Sequence, residues 1–198
     1  MNPTAPALSV SGGPSGPSGT PAVRIGLLDA SHAAAYKALR DAALLATPVA
    51  FTSDYASTVG RPAESYAARF GTPGSGLFFL GAFDAASGEL LGSVGCERQE
   101  RLQQRHCALV TAMMVATHAQ RRGIGRQLLR ACIGYAMQMD GLELLELSVT
   151  AVNGNAVRLY ESEGFRPWGL LPGAIRVAGI PYDKLHMYRM LPRATGAP

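Results

Sequence analysis

Between residues 124 and 139, Ile124, Leu128, Leu129, Cys132, Ile133, Ala136 and Met139 recur at helical spacing and predict one amphipathic helix. On either side the apolar period shortens. Segments "VRIGLLD" (23–29), "GLFFLGAFD" (76–84), "ELLGSVGCERQ" (89–99), "HCALVTAMMV" (106–115), "LELLELSV" (142–149) and "YDKLHMYRML" (182–191) have the length and composition of strands. The run 106–115 is apolar throughout, the pattern of a central strand covered on both faces. "AASG" at 85–88 reads as a hairpin connection between the second and third strands.

Three more helices complete the pattern. One runs from about 32 to 46, capped by Asp29 or Ser31 and stopped by Pro48. A short one spans 61–70 with Pro62 near its first turn, and "NGNAVRLYESEGF" (153–165) starts on a cap and closes at Gly164. The order β-α-α-β-β-β-α-β-α-β-β predicts a single α/β domain over 23–191, a mixed sheet with helices on its faces. Residues 1–22, rich in Pro, Gly, Ser and Thr and without charge, are expected to be a disordered leader, and 192–198 a short tail.

Composition narrows the class. Of 198 residues, 47% are hydrophobic and 16% charged, which suits a globular chain. A net charge of +4 admits anionic small ligands without requiring nucleic acid, and no stacking aromatics accompany the arginines. Cys96, Cys107 and Cys132 show no metal-ligand spacing and read as buried reduced thiols of a cytoplasmic protein. No apolar run reaches the ~18 residues of a membrane span, and no metal site is expected.

The chemistry concentrates at "QRRGIGR" (120–126), where Arg121, Arg122 and Arg126 surround Gly123 and Gly125 at a helix start. Cations there oppose the helix dipole, so the pattern points to an anionic ligand held by backbone N–H groups. A P-loop is excluded because no lysine follows the glycines. A dinucleotide fingerprint is excluded because Leu128 stands where a third glycine is needed.

The stretch Gln120, Arg121, Arg122, Gly123, Ile124, Gly125 resembles the Gln/Arg-x-x-Gly-x-Gly/Ala loop of the GCN5-related N-acetyltransferase superfamily. A second motif agrees: Asn153, Ala156, Leu159, Tyr160, Gly164 and Phe165 in "NGNAVRLYESEGF". The resemblance implies a largely antiparallel sheet with a splayed parallel pair, here 108–115 and 142–149, holding acetyl-CoA as cosubstrate. It implies that residues 120–126 bind the coenzyme A pyrophosphate and that Met113, Met114 and Val115 line the pantetheine arm, with a backbone N–H polarising the thioester carbonyl. Asn153 would cap its helix or bond that arm, and Tyr160 would act as general acid to the departing thiolate. The implied activity is N-acetylation of the primary amine of a small-molecule or amino-acid-like acceptor by direct attack.

The general base is less defined. Several relatives carry a glutamate on the central strand, whereas 107–115 here holds no carboxylate and Thr111 as its only hydroxyl. Glu97 and His106, flanking neighbouring strands, are the candidates, and Asp54 and Tyr55 in "AFTSDY" are candidates for gripping the acceptor. The missing strand carboxylate keeps open a noncatalytic acyl-CoA-binding or sensing module. The ending "IPYDKLHMYRML" allows a final hairpin that covers the acceptor side or meets a second copy in a homodimer.

Overall fold

The computed structural model describes residues 22–192, so all but the ends of the expected leader and tail lie outside the described residues. The chain runs through β1 (Val23–Leu27), α1 (Ala33–Ala46), β2 (Leu77–Asp84), β3 (Leu90–Arg98), β4 (Cys107–Val115), α2 (Ile124–Ala136), β5 (Leu144–Thr150), α3 (Gly154–Ser162), β6 (Arg166–Val177) and β7 (Ile180–Met190). These strands form one seven-stranded sheet in the order β1-β2-β3-β4-β5-β7-β6. Every neighbouring pair is antiparallel except β4 and β5. The mixed, largely antiparallel sheet expected from the sequence is present.

Local chemistry explains the elements. Asp29 and His32 form a reciprocal capping box on the turn that leads into α1. The 61–70 segment is a 3-10 helix, Ala63–Arg69, rather than an α-helix. Pro62 precedes it, and its one buried side chain, Tyr66, is too short a stripe to demand α-helical winding. The apolar face of α2 packs as its spacing predicts, with Ile124, Leu128, Leu129, Cys132, Ile133 and Ala136 all buried. The α2 and α3 side chains share a core with one face of the sheet. Those of α1 pack with Tyr66, Phe79 and Met114 on the other.

β6 is the element least visible in the sequence, which bounds a strand only at 182–191. It is an outer edge strand, mostly exposed and twice shifted in register against β7, so it lacks a buried face to impose alternation. Trp168, Leu170 and Leu171 stand exposed on it.

β4 departs from a regular strand in two ways. Gly95 pairs with Thr111 but Ser93 pairs with Met114, so β4 holds one residue more than β3 there, and Ala112 lies at φ +50°. This is a β-bulge. Its Ala112 carbonyl accepts from the hydroxyl of buried Ser93 at 3.0 Å. The parallel pairing with β5 covers only Cys107–Leu109 against Leu144–Glu146, and the strands then part. β4 is central and covered on both faces, as its composition suggested, yet Thr111, Ala112, Met113 and Val115 are only half-buried along the opening.

Candidate active site

The opening between β4 and β5 ends at the start of α2. Gly123 is the N-cap of that helix at φ +76°, supplies no side-chain cap, and has open space where a Cβ would stand. The first intrahelical bond runs from the Gln127 N–H to the Gly123 carbonyl, which leaves the N–H groups of Ile124, Gly125 and Arg126 without helical acceptors. Arg121 also takes a left-handed φ of +61°, a backbone conformation that recurs in anion-binding nests of N–H groups. Gly125 sits where α2, α3 and β4 meet: a Cβ there would lie 3.4 Å from Leu159 and 3.9 Å from Met113. Gln120 folds back, its Nε2 donating to the Val115 carbonyl at 3.3 Å. The loop thus combines exposed donors, a helix dipole and room for a diphosphate.

Arg126 is committed elsewhere. Its Nε lies 3.2 Å from Glu163 Oε1, a charge contact without hydrogen-bond geometry, and its Nη2 donates to Ser162 Oγ at 3.3 Å. Glu163, 8% exposed, also accepts from Arg130 Nε at 2.9 Å. Arg126 therefore ties α2 to the end of α3, and its backbone N–H rather than its guanidinium faces the anion position.

Asn153 caps α3, its Oδ1 accepting from the Ala156 N–H at 3.2 Å. Tyr160, buried on α3, meets Phe165 edge-on with ring centroids 5.9 Å apart. Burial, and secondarily the neighbouring Cys132 thiol, raises its phenol above the usual tyrosine value. Of the three thiols Cys96 and Cys132 are buried, while Cys107 is half-exposed because it begins β4 at the sheet's end.

The α1 face supplies the remaining chemistry. Glu97, Leu109, Glu146 and Tyr188 align in register across β3, β4, β5 and β7. Two carboxylate-bearing positions therefore flank Leu109, their backbones about 10 Å apart at normal strand spacing. Glu97 is paired with Arg69, whose guanidinium also lies over the Phe79 ring at 4.8 Å. Glu146 was missed in the sequence because a charge within "LELLELSV" reads as a solvent-facing position.

His106 is not brought into this group. It precedes β4 at the paired end, exposed, its carbonyl accepting from Glu143 and Leu144. At normal strand rise it stands about 20 Å from the bulge. Asp54 is exposed and closes its own turn, accepting from the Ser57 N–H at 2.8 Å and hydroxyl at 2.6 Å. With Tyr55 it lines a cavity of about 490 Å³ between the end of α1 and Ala174–Ala178 of the β6–β7 hairpin. A larger cavity of about 820 Å³ lies at the closed end of β3, beside Glu97 and Arg98, away from the helix start. Among the described residues no cluster of His, Cys, Asp and Glu is arranged to hold a metal ion, and no helix is long and apolar enough to cross a membrane.

A family model for the acetyltransferase (GNAT) family matches residues 38–165, from within α1 to just past α3. The chain belongs to the GNAT acetyltransferase family. Solved structures share the fold. A GNAT-family acetyltransferase from Streptococcus pneumoniae superposes with TM-score 0.77 at 22% identity, covering 86% of this chain and 100% of that one. A phosphinothricin acetyltransferase from Sinorhizobium meliloti, solved in complex with AcCoA, gives 0.76 at 19% identity, covering 89% and 92%. A ribosomal-protein-alanine N-acetyltransferase from Brucella melitensis gives 0.68 at 23% identity, covering 85% and 99%. No curated protein matches the chain by sequence.

Proposed function

We propose that this GNAT protein transfers the acetyl group of acetyl-CoA to the primary amine of a small acceptor by direct attack. The observation that carries this reading is the open β5-facing edge of β4, six residues from Val110 to Val115 paired with β3 but not with β5, leading straight to the donor-rich start of α2. Such an edge pairs with an amide-bearing chain as it would with a peptide. The residues fit coenzyme A: N–H groups of Ile124, Gly125 and Arg126 toward the diphosphate, and Met113, Met114 and Val115 along the pantetheine arm. Asn153 braces the α3 wall.

When bound, acetyl-CoA supplies the activated acyl group. Backbone N–H groups at the Ala112 bulge polarise the thioester carbonyl, because the bulge breaks the ladder that would otherwise occupy them. Tyr160 donates a hydrogen bond to the sulfur. Its raised pKa keeps the phenol protonated at neutral pH, and a thiolate with ordinary thiol basicity near ~8.5 accepts that bond as it departs. Glu97 or Glu146, on the opposite face, takes the proton released by the amine.

The cavity beside Asp54 and Tyr55 suits a small acceptor, and free Cys96, Cys107 and Cys132 suit a reducing compartment such as the cytoplasm. The named neighbours include both a phosphinothricin and a ribosomal-protein-alanine acetyltransferase, so the fold alone does not choose the acceptor. The test is calorimetric titration with acetyl-CoA followed by a transfer screen against amino acids, polyamines, aminoglycosides and short peptides. Acetyl-CoA binding with acetylation of a small amine is expected. Binding without transfer to any amine would make the protein an acyl-CoA sensor instead.

A further inference from the structure

The α1 face of the sheet buries two cations that no carboxylate neutralises. Arg40 is 9% exposed; its Nη2 donates to Ser53 Oγ at 2.9 Å, and its buried Nε has no partner. Lys184 is 6% exposed, and its side chain makes no hydrogen bond or ion pair with a described residue. Two partly buried cations nearby on this face are paired: Lys37 with Asp41, and Arg69 with Glu97. A buried charge without a counterion is costly, so an anion at this face would relieve a standing penalty.

The surroundings supply donors to match. The hydroxyls of Tyr36 and Tyr66, residues 0% and 4% exposed, are buried without partners, and their rings lie 5.4 Å apart. Arg40 is close enough to Tyr36 to oppose the rise that burial imposes on its phenol. Both tyrosines share a packed cluster with Ala112 and Met114 at the β4 bulge. Lys184 faces the same side, since it pairs in register with Thr150, whose hydroxyl meets the Val49 carbonyl in the turn leading to Ser53. Of the carboxylates of this face, Glu97 is taken by Arg69, and Glu146 stands on β5 without an ion pair among the described residues.

We propose that Arg40, with Tyr36, Tyr66 and Lys184, receives an acidic group carried by the amine acceptor. The substrate is then an amino-acid-like zwitterion rather than a polyamine or aminoglycoside. This rests on the acetyltransferase reading above and adds the acceptor's chemical class to it.

The experiment compares kcat/KM for L-methionine, L-glutamate and L-phenylalanine with that for the carboxamide of each, and with spermidine and kanamycin. At least one free acid is expected to exceed its carboxamide by about ten- to a hundredfold, the discrimination a site built for a charged partner gives when that partner is missing. Arg40→Met should move that ratio toward one, and Arg40→Lys should restore part of it. Melting curves report whether the variants fold, and the wild-type comparison decides the matter if they do not. Spermidine or kanamycin acetylated better than every acid would overturn the proposal while leaving the transferase reading intact. So would an Arg40→Met variant that slows acid and carboxamide equally. An enzyme that binds acetyl-CoA and acetylates none of these amines would overturn both.

Discussion

The Thr150 hydroxyl donates to the Val49 carbonyl at 2.6 Å, joining the open end of β5 to the turn that follows α1. Thr150 is 1% exposed, so Thr150→Val keeps the shape but leaves the part-buried Val49 carbonyl without its donor. The expected cost is about 1–3 kcal/mol, read by urea denaturation. The turn leads to Ser53, and the acceptor KM should rise while coenzyme A affinity holds. A variant with unchanged stability and KM would show that the turn is held by other contacts.

Gly123→Asp should weaken coenzyme A binding at least tenfold, roughly the effect of setting a carboxylate against a bound diphosphate. Open space around the Cβ position means the side chain causes no clash, and the left-handed φ of +76° costs stability about 1 kcal/mol. Gly123→Ala carries the same backbone cost without the charge and should lose far less affinity. Equal calorimetric affinities for the two variants would remove the diphosphate from this loop.

Tyr160→Phe should lower kcat by about tenfold, the low end for general acid assistance because a thiolate leaves readily. The ring still packs on Phe165, so melting temperature should move little. Burial raises the phenol pKa, hence Tyr160 stays protonated up to and beyond the ordinary value near ~10. The wild-type rate should therefore show no loss between pH 7 and roughly 9.5 that disappears in the variant. Such a loss would mean that the phenol gives up its proton in this range, against the direction that burial imposes.

Asp84 closes the β2–β3 turn, its Oδ1 accepting from the Ala86 and Ser87 N–H groups at 3.0 Å each. Those bonds hold its carboxyl below the ordinary value, led by the one from Ser87. A lowered folded pKa contributes stability that is present above the unfolded value and lost as pH falls through the folded one. The melting-temperature gap between wild type and Asp84→Asn should thus be full at pH 7 and shrink below about pH 4. A gap independent of pH would assign the turn's stability to Gly88 and the backbone alone.

The sequence made legible what periodicity and capping determine. All six helical positions of the α2 stripe are buried, and Asn153 caps α3 as its spacing implied. The α1 face was harder to read. Arg40 falls on the stripe with Tyr36, Leu39 and Leu44, and a cation at an inward position was the available signal. Lys184 alternates with Leu185 and Met187 as an ordinary outward residue would, yet it is 6% exposed. The separation of His106 from the site was illegible because position along a strand says nothing of which end the neighbouring strands leave open.

The bulge at Ala112 has a consequence for how this strand tolerates change. Before it, Ala108 and Val110 join the α2 core; after it, Met113 and Val115 do, so the parity of inward positions switches across one residue. Ala112 adds length rather than chemistry, a methyl group on a peptide unit whose carbonyl Ser93 holds. Exchanging it for glycine leaves that unit in place and relaxes the positive φ of +50°. Removing it leaves every other side chain of β4 on its present face, yet straightens the strand toward β5 and closes the opening. The position is sensitive to being counted and tolerant of glycine.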